Sequence, residues 1–225
     1  MGEHPGVVQM KRMGTGLSFI VFPLMLLSGF LMHPNLLSLE LVTDAEVWAG
    51  EFRGNFLFHL GHLIVLLTVP FIIVVGVRCM QFVSGPGAWF VFIGGVAGIF
   101  GAFVLAVDKG SLTLVLTAFD TLPDQEFQDL YPALQVLLDR GGWLWLVQLL
   151  LLLPLGFALQ AVGLARSGVI GRRQAFTIVF GLLLLLAGDI EVITSLGAVA
   201  MCIGYIPMGL RELSGNLGAQ SMRPR

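Results

Sequence analysis

Two histidines three residues apart, His59 and His62, open a long apolar run that begins NFLFHLGHLIVLLTVPFIIVVGV. On a helix, side chains at i and i+3 share a face. Glu51 and Asn55 continue that face backwards at intervals of four, which predicts a polar stripe of Glu51, Asn55, His59 and His62. Imidazole together with carboxylate suits zinc, iron or copper, and a thioether shifts the preference toward copper(I). Histidine is also a common axial ligand of haem, so His33 with His59 or His62 could hold a b-type haem from two helices. The chain offers His33, His59, His62, Asp189 and Glu191 as candidate metal ligands, and Met32 precedes His33. His33, His59 and His62 are equally the candidate haem or metal-cofactor residues. The alternative for all of them is structural, because histidines and acids at helix ends bond readily to carbonyls, to each other and to water. His-x-x-x-His and His-Glu-x-x-His are absent, so the spacing alone does not choose.

The elements that must position these residues are membrane helices. Of 225 residues, 56% are hydrophobic and 12% charged, and the mean hydropathy is +0.91. A soluble domain carries about 25% charged residues. A span needs about 20 apolar residues at about 1.5 Å each. The expectation is an all-α, polytopic membrane helix bundle, one domain over 1–225, with about six transmembrane helices at 16–33, 55–78, 88–108, 143–165, 173–189 and 192–211. The run from Phe176 to Leu210 is too long for one span, so a hairpin places Asp189 and Glu191 at its turn. Two acids at a bilayer surface cost far less than two at its centre.

An outer-surface segment, 110–141, connects the third and fourth spans. Phe127, Leu130, Leu134, Leu137 and Leu138 recur there at helical spacing, opposite Asp124, Gln128, Asp129 and Gln135. This predicts an amphipathic surface helix, started by a capping box of Thr121 and Asp124 and kinked at Pro132. It serves either as a lid or as a docking surface. Gly94, Gly98 and Gly101 share a face of the third span and are expected to be helix-packing positions, since small residues let backbones approach closely.

Charge sorts by location. Six spans gather Lys11, Arg12, Arg78, Arg166, Arg172, Arg173, Arg211, Arg223 and Arg225 on one side, leaving Arg53, Lys109 and Arg140 on the other. By the positive-inside rule the basic side is cytoplasmic. The expected location is a prokaryotic cytoplasmic membrane with both termini cytoplasmic. The outer side then holds His33, His59 and His62 and nearly all the acids. The cytoplasmic half is almost bare of polar groups, Gln160 and Tyr205 being among the few, which argues against a through-path for polar solutes. Cys79 and Cys202 both fall on the basic side, so no disulfide is expected.

No nucleophile elbow, P-loop or dinucleotide fingerprint is present, and no basic tract fits nucleic acid. The function expected first is therefore a non-catalytic subunit or scaffold of a larger membrane complex. Its partners would be the lipid bilayer and other membrane subunits, or a second copy in a homo-oligomer. A metal- or haem-binding redox protein (haem b, copper or zinc) using the outer histidines is the first alternative. A small transporter is the second.

Overall fold

The computed structural model describes residues 4–188 and 190–215 and is all-helical, with no strand among them. An apolar chain in lipid must satisfy every backbone N–H and C=O internally, which a helix does. The long helices are α1 (Pro5–Phe30), α3 (Phe56–Gln81), α4 (Ala88–Phe119), α7 (Leu152–Arg166), α8 (Arg172–Leu184) and α9 (Glu191–Leu213). Three short ones, α2 (Ala45–Phe52), α5 (Asp124–Gln128) and α6 (Tyr131–Leu138), lie in the connections. A 3-10 helix, Gly142–Leu151, leads into α7, and a shorter one, Leu185–Ala187, ends α8.

Among the described residues, five helical segments are long and apolar enough to cross a membrane: Pro5–Phe30, Phe56–Gln81, Ala88–Phe119, Gly142–Arg166 and Glu191–Leu213. The segment expected as the fifth of six spans is shorter. Arg172–Ala187 turns at Gly188, whose φ of +63° favours glycine, and packs antiparallel on α9. Gln174 Nε2 donates to Gly204 O at 2.7 Å, and an added Cβ on Gly181 would fall 2.7 Å from Gly197 O.

The long helices form a closed ring. Each packs on its neighbour in the order α1, α3, α4, α7, α8, α9, and α9 returns to α1. Phe22, Leu26, Ile72, Phe157, Leu182 and Tyr205 fill its centre. The closest seam is α4 against α7. An added Cβ would fall 2.5 Å from Gly156 O at Gly94, 2.6 Å from the Phe157 ring at Gly98 and 2.2 Å from Leu153 N at Gly101. Gln160, buried beside this seam, donates from Nε2 to Gly76 O at 3.1 Å and Val91 O at 3.3 Å, tying α7 to α3 and α4.

The two ends of the ring differ. At the basic end, Glu212 of α9 is 2% exposed. It accepts from Arg78 Nε at 2.9 Å and from Thr15 Oγ1 at 3.1 Å, joining α3 and α1 to α9. Arg223 and Arg225 lie outside the described residues. The other end carries a cap with its own apolar core of Ala45, Ala49, Phe52, Phe58, Leu116, Phe127 and Leu134. Gln135 clamps the start of α2, accepting from Ala45 N at 3.0 Å and donating to Thr43 O at 3.1 Å. Arg53 donates to Leu122 O at 3.1 Å and Asp124 Oδ1 at 2.8 Å, with its guanidinium 3.7 Å from the Phe127 ring centroid.

Three local expectations change. The third span does not end at 108, because α4 runs on to Phe119. Asp108 and Lys109 pair with each other at 3.2 Å, and Leu116 is buried in the cap, so the charges do not stop the helix. The surface segment 110–141 therefore starts as the end of α4 and continues as two short helices. Thr121 does not form the expected capping box; its hydroxyl donates back to Ala118 O at 2.7 Å, and Pro123 occupies the N-cap of α5.

Candidate functional site

Between the ring and the cap lies a cavity of about 440 Å³. Apolar residues Leu26, Val65, Leu105 and Leu153 form its floor, and Trp48, Leu137 and Leu138 of the cap cover it. One side is the 3-10 helix, through Leu144, Val147 and Leu151; Leu185, Leu186 and Gly188 at the α8–α9 turn form another. Below the floor the ring interior closes: the void beside Phe22, Ile72, Phe157, Met201 and Tyr205 measures only about 10 Å³. The polar residues of the lining include His33 just beyond α1, His62 on α3, Asp108 and Lys109 on α4, and Glu191 at the start of α9.

His33 and His62 come together. Their ring centroids are 4.9 Å apart, and the Phe58 ring lies 5.1 Å from His33 and 4.4 Å from His62. Close crossing of α1 and α3 makes this contact: an added Cβ on Gly29 would sit 3.0 Å from Gly61 O, and one on Gly61 2.8 Å from Gly29 O. His33 Nδ1 pairs with Glu191 Oε1 at 2.9 Å, bridging α1 and α9. His62 is 4% exposed. Its Nδ1 lies 3.0 Å from Phe58 O, and since a carbonyl only accepts, Nδ1 carries the proton. A neutral imidazole held this way presents Nε2 as a bare acceptor.

His59 goes elsewhere. Its Nε2 meets Asp120 Oδ2 at 2.8 Å, and the same oxygen accepts from Gly54 N at 3.0 Å. At 3.6 residues per turn, i and i+3 differ by about 60° around the axis. That is enough for α3, wedged between α1 and α4, to send His62 to one neighbour and His59 to the other. The stripe is broken a second way: Gly54, at φ +64°, separates α2 from α3. Asn55 becomes the N-cap of α3, accepting from Phe58 N at 3.3 Å, while Glu51 stays on α2 and accepts from Asn35 Nδ2. Asp189 lies outside the described residues. Among the described residues no three His, Cys, Asp or Glu side chains are grouped to hold a metal ion.

Sequence reasoning found His33, His62 and Glu191 but missed the cavity around them. Its walls come from Trp48, Gln148 and Leu185, which belong to separate elements and share no spacing. Arg140 at the rim was also missed; its φ of +52° is uncommon for a residue with a Cβ and marks the left-handed turn after α6. Comparison of the chain with protein-family models, curated proteins and solved structures finds no match.

Proposed function

We propose that the chain is an integral membrane binding protein that holds a small amphipathic molecule in the capped cavity, without transforming it. The carrying observation is the cavity itself. Its volume of about 440 Å³ lies within the ~300–1,000 Å³ of ordinary small-molecule sites, and it joins an apolar floor to a few convergent polar groups. In this reading Arg172–Ala187 is the sixth crossing, because Gly16 of α1 lies against Gly209 and Leu213 of α9, so both ends of the described chain share the basic end. The basic end faces the cytoplasm by the positive-inside rule, and the cavity opens toward the opposite side.

This reading displaces a purely structural subunit from first place. Both features that would have served docking are used within the chain: Gly94, Gly98 and Gly101 face α7, and Phe127 and Leu134 are buried in the cap. Transport is disfavoured by the apolar packing that closes the ring below the cavity. Metal or haem binding is the second reading, carried by His33 and His62, whose Nδ1 atoms are both held by oxygens as ligand histidines are held by their outer partners.

Native mass spectrometry of gently extracted protein tests the first reading. A small-molecule adduct is expected on the chain, and Leu105→Trp, which fills the floor, should remove it while the protein stays monodisperse and helical. An adduct retained by that variant would place the molecule elsewhere. Near-stoichiometric iron, copper or zinc lost in His62→Ala would transfer the function to the second reading.

A further inference from the structure

The cavity's chemistry is more selective than its shape, and the identity of its occupant, which rests on the binding function proposed for the chain, can be narrowed from the lining. Among the described residues, four carboxylates line it, Glu40, Glu51, Asp108 and Glu191, against two permanent cations, Lys109 and Arg140. Glu40 and Arg140 sit exposed at the rim. Deeper in, Asp108 takes Lys109 at 3.2 Å, whereas Glu191 has a histidine as its ion-pair partner. The side chains of His33 and Glu191 are only 16% and 14% exposed.

Beside that pair, His62 is almost wholly buried, its Nδ1 proton is committed to Phe58 O, and its Nε2 makes no hydrogen bond among the described residues. His62 lines the cavity, and an acceptor left open to that space calls for a donor. The aromatic faces of Phe30, Phe58 and Trp48 line the same space, and such faces attract cations. Negative balance, a bare acceptor and aromatic walls all favour one head group.

We propose that the occupant is an amphipathic amine. Its protonated N–H group donates to His62 Nε2 and to the Glu191 carboxylate, and its apolar body lies on Leu26, Leu105 and Leu153. Glu191 supplies the charge selection. His62 supplies a requirement for N–H, so a quaternary ammonium of the same length is rejected even though it carries the same charge.

Octylamine, octanol, octanoate and octyltrimethylammonium, titrated against the full chain in phosphatidylcholine nanodiscs at pH 7, separate these contributions. Octylamine is expected to bind at least tenfold tighter than the other three. Glu191→Gln should reduce its margin over octanol to less than threefold. His62→Leu, which removes the acceptor, should erase its margin over the quaternary analogue. Unchanged helicity and monodispersity of both variants show that the fold around the cavity is intact. Octanol or octanoate binding as tightly as the amine would overturn the amine assignment and leave the binding reading standing. Failure of all four to bind would overturn both.

Discussion

Gly101 and Gly110 lie on the same helix, and replacing either with alanine makes the same chemical change. Alanine is the better helix former by about 0.5–1 kcal/mol, so context decides the sign. At Gly110 the nearest atom to an added Cβ is Leu66 Cδ1 at 3.8 Å, an ordinary contact. Gly110→Ala should therefore stabilise the protein by about 0.5–1 kcal/mol. At Gly101 the added Cβ would meet Leu153 N at 2.2 Å and its Cα at 2.6 Å. Backbone cannot rotate away, so α4 and α7 must separate by about 1 Å, and a gap of that size forfeits a quarter to a half of each neighbouring contact. Overpacking of this kind costs about 1–3 kcal/mol, which outweighs the helix gain and leaves a net loss of about 1–2 kcal/mol. Reversible unfolding of each variant in mixed micelles of increasing SDS fraction, followed by far-UV circular dichroism, gives both values. Two changes of the same sign would refute the claim that backbone approach along this seam stabilises the ring.

Glu212→Ala should cost about 2–3 kcal/mol in the same assay. It removes the carboxylate that joins Arg78 and Thr15, leaving Arg78 with Gln81 Oε1 and Thr15 with the carbonyls of Lys11 and Arg12, and the partial exposure of Arg78 to solvent discounts the usual penalty for breaking a buried pair; a loss below about 0.5 kcal/mol would show the clamp to be incidental. Gln135→Ala leaves Thr43 O and Ala45 N without their partner. Amide exchange should accelerate by about tenfold over residues 43–52, the effect of about 1.4 kcal/mol of local opening, while residues 64–80 of α3 stay protected. Uniform acceleration of both segments would mean that the cap and the ring unfold as one unit.

The helical class and the gathering of His33, His62 and Glu191 at one end were legible because hydropathy and charge sorting act on long runs. The hairpin turn at Gly188 was legible for a different reason: Phe176 to Leu210 is too long for one crossing. The end of α4 was not, since Asp108 followed by Lys109 looks like a helix terminus until the two charges are seen to pair with each other. The parting of His59 from His62 depends on which helix packs on which side of α3, and a periodicity carries no information about neighbours. Gly94, Gly98 and Gly101 could be assigned to a common face, but not to α7, whose own Gly156 completes the seam. The cavity was invisible because it is a space between elements, bounded by residues such as Trp48, Leu105 and Leu185 that no spacing relates.

The most direct test is an experimental structure of the protein extracted with its native lipids, with attention to the space between Leu105, His62 and Glu191. The binding reading predicts elongated non-protein density there, its polar end within hydrogen-bonding distance of His62 Nε2. A cavity filled by side chains, or holding only isolated waters against its apolar floor, would contradict it.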